Sequence, residues 1–150
     1  MGVGLLALLT RLPFSWQLGI GKGIGLLLHK VAGSRRRIAE VNMEICFPEK
    51  TPAERDALVR QIFIDNGIGL METFMGWFRD PQWLAARTDF IGFDKVREAQ
   101  NNGQGVMLLG AHYSMLDLAG SLVSTVQRVS VSYRPQDNPV MNYVCLLYTS

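Results

Sequence analysis

His112 and Asp117 are the two residues whose types and spacing suit chemistry. They lie in the stretch GVMLLGAHYSMLDLAG, residues 105–120, where the imidazole follows an apolar run. An imidazole with one nitrogen held by a carboxylate has a fixed tautomer, and its other nitrogen is free to accept a proton. The pair is therefore a candidate general base, although a hydrogen-bonded pair without chemistry has the same spacing.

The spacing sets a condition on the backbone around this pair. Positions five apart on one helix differ by about 140° around its axis, so their side chains point in different directions. The two groups meet only if His112 lies in a turn and Asp117 lies in the first turns of the following helix. Ser114 between them lacks a surrounding G-x-S-x-G elbow and is interpreted as a helix cap rather than a nucleophile.

Short apolar runs after residue 88 predict the elements that position the pair. Runs typical of strands are Asp89–Ile91, Val106–Leu109 and Val129–Tyr133, and runs typical of helices are Asp94–Gln100 and residues 114–126. Connections of this length predict βαβ units and a mostly parallel sheet, hence an α/β fold. His112 would then lie beyond the carboxyl end of a strand, where open α/β sheets place their ligand sites.

A long helix is predicted to precede this sheet. Thr51, Pro52 and Glu54 form a capping box with proline at the first helical position, and a bend is expected near Gly67 and Gly69. The helix carries an apolar stripe that is interpreted as core, with the floor of an acyl-chain groove as the alternative. The stripe comprises Leu58, Ile62, Phe63, Leu70, Met71, Phe74, Met75, Trp77 and Phe78. Glu72 lies among these residues, and a buried carboxylate needs a partner, so we expect an Arg or a helix terminus beside it.

The first 39 residues are apolar and basic, with six Lys or Arg and no acidic residue. This composition favours attraction to anionic lipid, and nucleic acid is not expected because the usual readout residues are absent. Charges leave no apolar run near the roughly twenty residues that a spanning helix needs. The segment is predicted to be an interfacial helix or hairpin that associates with the membrane, with a tilted span and a core-packed helix pair as alternatives.

Metal and cofactor chemistry is not predicted. The two histidines are far apart in the sequence and supply no ligand cluster. Cys46 and Cys145 have no metal or redox spacing and indicate a reducing compartment. The GIGKGIG stretch near residue 20 lacks the G-K-[ST] ending of a phosphate-binding loop.

Several motifs resemble those of the lauroyl/myristoyl acyltransferases that finish bacterial lipid A. LLGAHYSMLD is similar to the H-x4-D/E block of the lysophospholipid acyltransferase superfamily. RRRIAEVNMEICFPEKTPAER, GIGLMETFMGWF and VSVSYRPQDNP resemble further blocks of the lipid A enzymes, in the same order. The resemblance covers about residues 5 to 144, and Asp117 stands where many members carry Glu.

The resemblance implies transfer of a fatty acyl group from acyl carrier protein to a hydroxyl of a lipid A precursor, at the cytoplasmic face of the inner membrane. No cofactor is implied besides the thioester donor. His112 would be the general base for the acceptor hydroxyl, and Asp117 would orient it. Arg134 follows a predicted strand end and suits a phosphate or the thioester oxyanion, or else a structural pair with Asp137.

The resemblance also divides the chain. Residues 1–39 are the membrane-associated segment, residues 40–144 are the N-terminal part of an acyltransferase domain, and residues 145–150 match no expected continuation and are interpreted as a foreign tail. A sheet truncated in this way would leave an exposed apolar edge. The alternatives are acylation of a lysophospholipid or glycolipid, and a non-catalytic membrane-bound fragment.

Overall fold

Helices make up the regular structure of the described part of the chain. The computed structural model describes residues 2–111, 115–130, 135, 137–139 and 142–143. Its helices are α1 Gly2–Leu9, α2 Phe14–Val31, α3 Gly33–Cys46, α4 Pro52–Phe78, α5 Pro81–Ala85, α6 Phe93–Asn101 and α7 Leu116–Val126. Within these described ranges no strand occurs.

The predicted α/β fold with a mostly parallel sheet is therefore wrong for the described residues. Asp89–Ile91 and Val106–Leu109 have no regular secondary structure, and Met107 and Leu109 are 90% and 97% exposed. The backbone N–H and C=O groups of a strand form hydrogen bonds with a neighbouring strand. No described segment forms such a neighbouring strand beside these runs. Residues 131–133 of the third predicted strand lie outside the described residues.

The long helix α4 begins as predicted. The Oγ1 of Thr51 accepts a hydrogen bond from the backbone N–H of Glu54 at 3.3 Å, and the Glu54 carboxylate accepts one from the N–H of Thr51 at 2.8 Å. Pro52 takes the first helical position, which needs no N–H donor. The hydrogen bonds from the Thr51 side chain and backbone lower the pKa of Glu54. The capping box is thus confirmed.

The buried face of α4 agrees only in part with the predicted stripe. Met71, Met75 and Trp77 are buried as expected, and Val59 and Ile64 join them. Leu70, predicted as core, is 40% exposed. The buried face differs because α4 packs against α2 over much of its length and against α7 towards its end.

Helices α2 and α4 cross with their backbones in contact. A Cβ atom built on Gly21 would lie 2.7 Å from the Cα of Ile68, and one on Gly67 would lie 2.6 Å from the backbone N of Gly25. These neighbours are backbone atoms, so no side-chain rotation could relieve the overlap. Gly67 is therefore one of the points at which α4 touches α2, and this crossing is the largest interhelical contact of the described chain.

Two polar side chains, the buried Gln17 and the partly buried Arg79, hold the turn between α1 and α2 in place. Gln17, 1% exposed, donates from Nε2 to the carbonyl oxygens of Thr10 at 3.1 Å and Leu12 at 2.8 Å. The Nε of Arg79, just after α4, donates to the same Thr10 oxygen at 2.7 Å. The N-terminal turn is therefore held against the end of α4.

Within the N-terminal segment, one face of α2 packs against α4. That face buries Gln17, Gly21 and Gly25. Large apolar side chains elsewhere on the first two helices remain exposed, namely Leu5, Leu8, Phe14, Trp16 and Leu27. Among the described helices, none combines the length and apolarity that crossing a bilayer requires.

Candidate active site

Of the predicted site residues, the structure describes Asp117. It lies in the first turn of α7 with an exposed side chain. The helix predicted over residues 114–126 is confirmed from Leu116 to Val126, so Asp117 has the early helical position that pairing with His112 requires. His112 and Arg134 lie outside the described residues, and their pairing and roles stay predictions.

The start of α7 rests directly on α4 at Gly76. A Cβ atom added to Gly76 would lie 3.0 Å from the Cα of Leu118 and 3.5 Å from the carbonyl carbon of Asp117. Leu118 is 7% exposed and packs with Met75 and Leu84. The backbone of Asp117 is thus fixed by helix packing, while its carboxylate faces outward and is available to a neighbouring group.

Glu72 lies one helical turn before Gly76 on the same face of α4. Its side chain is half-buried, and burial raises the pKa of this carboxyl. The expected Arg or helix-terminus partner is absent among the described residues, so that prediction is wrong there. Glu72 differs from the other acidic residues of α4, whose side chains are exposed. A desolvated carboxyl retains its proton to higher pH than an exposed one.

Replacing Glu72 with Gln should stabilise the protein at pH 7 and have little effect at pH 4. The folded-state pKa lies above the unfolded value near 4.5, so the carboxyl favours folding while protonated. That contribution is lost as pH rises through the folded-state pKa, because the folded protein must then bury a charge. Thermal denaturation of both proteins at the two pH values measures the difference.

Glu98→Gln is the matched control, since Glu98 is an exposed carboxyl on α6. Its substitution should shift the midpoint little at either pH. A Glu72→Gln gain of equal size at pH 4 and pH 7 would contradict the assignment of the raised pKa to burial.

Arg79, Trp83 and Arg87 form a contact that the sequence analysis missed. The guanidinium carbon of Arg79 lies 4.2 Å from the centroid of the Trp83 ring, and that of Arg87 lies 3.9 Å from it. Cation–π attraction of this kind stabilises both side chains in place. The sequence signal that could have predicted this contact is the spacing of four residues from Arg79 to Trp83 and from Trp83 to Arg87.

The described residues contain no grouping of three or more His, Cys, Asp or Glu side chains suited to a metal ion. Cys46 is an exposed free thiol, and Cys145 lies outside the described residues. The described residues thus offer three kinds of chemical group. Asp117 supplies a carboxylate at the start of α7, and Glu72 supplies a carboxyl of raised pKa on α4. Arg79 and Arg87 supply guanidinium groups beside Trp83.

Comparison with known proteins gives similarity along almost the whole chain. The family described as bacterial lipid A biosynthesis acyltransferase matches residues 1–148. The lipid A biosynthesis lauroyltransferase of Escherichia coli (strain K12) is 34% identical over 144 residues, covering 96% of this chain and 47% of that protein. The lipid A biosynthesis palmitoleoyltransferase of the same strain is 33% identical over 143 residues, covering 95% of this chain and 47% of that protein. The lipid A biosynthesis myristoyltransferase of the same strain is 28% identical over 145 residues, covering 96% of this chain and 45% of that protein. The chain thus spans about half the length of the curated relatives it matches, and no solved structure matches it.

Proposed function

Because this chain belongs to the bacterial lipid A biosynthesis acyltransferase family, we propose that it serves the transfer of a fatty acyl group to a hydroxyl of a lipid A precursor. The observation that carries the proposal is the family match over residues 1–148. Relatives named for lauroyl, palmitoleoyl and myristoyl transfer support the reaction class and leave the acyl chain length open. The activity is proposed for this chain or for a longer protein that includes it.

The proposed reaction needs one base and no protein nucleophile. His112 accepts the proton of the acceptor hydroxyl while the hydroxyl oxygen attacks the thioester carbonyl of acyl carrier protein. The new C–O ester bond forms, the C–S bond breaks, and the proton passes to the leaving thiolate. Asp117 holds the imidazole and stabilises its protonated form. The placement of Asp117 in a helix turn fixed on Gly76 supports this role.

Arg134 is proposed to bind either the oxyanion that develops on the thioester carbonyl or a phosphate of the acceptor. A guanidinium presents several N–H donors in a planar fork, which suits either anion. Resemblance of the YRPQDNP motif to the family supports this role. The structural pair with Asp137 is the competing role.

The chain is also proposed to contact lipid at the cytoplasmic face of the inner membrane. Leu5, Leu8, Phe14 and Trp16 expose large apolar side chains on the first two helices, and no acidic residue accompanies them before Glu40. Apolar side chains beside basic ones are typical of surfaces that lie in the membrane interface. The proposal concerns surface contact and not a spanning helix.

Acyl transfer to defined acceptors tests the proposed function. Membranes from cells expressing the chain, or the longest reading frame that contains it, are given acyl–acyl carrier protein and one of three acceptors: a lipid A precursor, a lysophospholipid or a glycolipid. We expect mass spectrometry to detect an added acyl ester on the lipid A precursor alone, above membranes from cells with an empty vector. Transfer to another acceptor only would overturn the lipid A assignment. Absence of transfer to all three would favour a non-catalytic protein.

A further inference from the structure

Two arginines lie against Trp83, and a third, Arg11, directly follows Thr10, whose carbonyl oxygen accepts a hydrogen bond from Arg79. Arg79 follows α4, Arg87 follows α5, and Arg11 lies in the turn between α1 and α2. Both Arg79 and Arg87 lie against the Trp83 ring. Burial lowers the pKa of Arg79, and the positive charges of Arg11 and Arg87 lower it further. The positive charges of Arg11 and Arg87 thus both act on the Arg79 guanidinium, and we call these three side chains the arginine cluster.

The structure holds two members of this cluster firmly. The Nε of Arg79 donates to the Thr10 carbonyl oxygen at 2.7 Å, and the Nη1 of Arg87 donates to the Trp83 carbonyl oxygen at 3.0 Å. Each bond uses one N–H group of a guanidinium that carries five. The other donors of Arg79 and Arg87 find no protein acceptor within the described ranges, so they are available to a ligand.

No carboxylate of the described residues neutralises the arginine cluster. The ion pairs among the described residues lie elsewhere, on α3, where Arg36 and Arg37 pair with Glu40. Asp80 follows Arg79 directly, but its carboxylate accepts the backbone N–H of Gln82 at 2.8 Å as the cap of α5. Like charges held together without a counter-charge favour the binding of an anion.

We propose that Arg11, Arg79 and Arg87 form a binding site for a phosphate group. The guanidinium fork matches the oxygen geometry of phosphate and donates two parallel hydrogen bonds to it. Cation–π contact with Trp83 holds the guanidinium groups of Arg79 and Arg87 in position before a phosphate binds. The site consists of residues other than His112, Asp117 and Arg134, and it goes beyond the proposed function.

The phosphate has two chemical sources, a lipid headgroup and a free phosphate. Leu8, Phe14 and Trp16 are 64%, 55% and 65% exposed on the two helices that flank Arg11. Apolar side chains beside a phosphate site are typical of contact with a lipid, whose acyl chains they can reach. The experiment below separates the two sources.

Binding of the 150-residue chain to vesicles tests the site. The vesicles are phosphatidylcholine alone, or phosphatidylcholine with phosphatidic acid, or phosphatidylcholine with oleate at matched surface charge. The test variant carries Arg11→Gln and Arg87→Gln, both on exposed side chains. The control variant carries Arg60→Gln and Arg97→Gln, which remove the same charge; Arg60 is roughly 28 Å from Arg79 along α4. Thermal denaturation verifies that all three proteins are folded.

We expect the wild type to prefer phosphatidic acid vesicles and the test variant to bind them about 30-fold more weakly, at about a factor of five per basic residue. The control variant should bind as the wild type does. Displacement by millimolar inorganic phosphate would assign the site to free phosphate, and resistance to it would assign the site to a lipid headgroup; either supports the proposal. Equal weakening in both variants, equal binding to oleate vesicles, or a wild type that binds neither phosphatidic acid vesicles nor inorganic phosphate would overturn it. The assay measures no acyl transfer, so its failure leaves the proposed function standing.

Discussion

Replacing His112 with Ala should reduce acyl transfer to a lipid A precursor by about 10²–10⁴-fold, because the acceptor hydroxyl then loses its general base. The assay compares initial rates at equal amounts of folded protein, with the acyl–acyl carrier protein held constant. His29→Gln is the matched control, since His29 is the other histidine of the chain and packs edge-on against Phe63 with ring centroids 5.4 Å apart. Its transfer rate should stay near that of the wild type.

Substitutions of Asp117 extend this experiment to the second member of the pair. Asp117→Asn should also lose most of the transfer, because an amide cannot stabilise the imidazolium. Asp117→Glu should retain much of it, since the resemblance places Glu at this position in many relatives. A His112→Ala protein that transfers acyl groups at the wild-type rate would exclude the general-base role. The pair would then be structural.

Replacing Gly25 with Ala should destabilise the protein by about 3 kcal/mol or more, whereas replacing Gly23 with Ala should stabilise it by about 0.5–1 kcal/mol. Both glycines lie in the interior of α2. A Cβ atom on Gly25 would lie 2.7 Å from the Cα of Ile64, and one on Gly23 would meet nothing within 4 Å. Urea denaturation monitored by circular dichroism gives both free energies of unfolding.

The opposite signs of these two substitutions make the test specific to the helix crossing. Intrinsic helix propensity favours Ala over Gly at both positions, so only the contact with α4 distinguishes them. If Gly25→Ala proved as stabilising as Gly23→Ala, α2 and α4 would not cross at this point. The arrangement of the N-terminal segment described above would then be wrong.

The helices that the sequence predicts correctly are those with local signals. The capping box of Thr51 and Glu54 specifies the start of α4 through groups three residues apart, and α6 begins and ends within one residue of its predicted range. The predicted sheet failed because a strand depends on a partner far along the chain. An apolar run such as Val106–Leu109 has the composition of a buried strand whether or not that partner is beside it.

In the candidate site, too, the features with local sequence signals were predictable and those that depend on contacts between distant elements were not. The motif around His112 and Asp117 predicts the early position of Asp117 in α7, which the structure confirms. The support from Gly76 and the absence of a partner for Glu72 within the described ranges could not be predicted, because both depend on how α4 meets other elements. The arginine cluster joins Arg11 to Arg79 and Arg87, which lie 68 and 76 positions later in the sequence, so no short pattern contains all three residues.

The exposed run at residues 106–109 has a consequence for chemical stability. Met107 presents its thioether to solvent at 90% exposure, whereas Met71 and Met75 are 1% and 3% exposed inside the helical core. Peroxide oxidises accessible thioethers to polar sulfoxides. Mild oxidative stress would therefore convert the apolar run into a more polar one while the methionines of α4 stay reduced. Among the methionines whose side chains the structure describes, the most exposed one thus lies five residues before His112, and a sulfoxide there is reversible by methionine sulfoxide reductases.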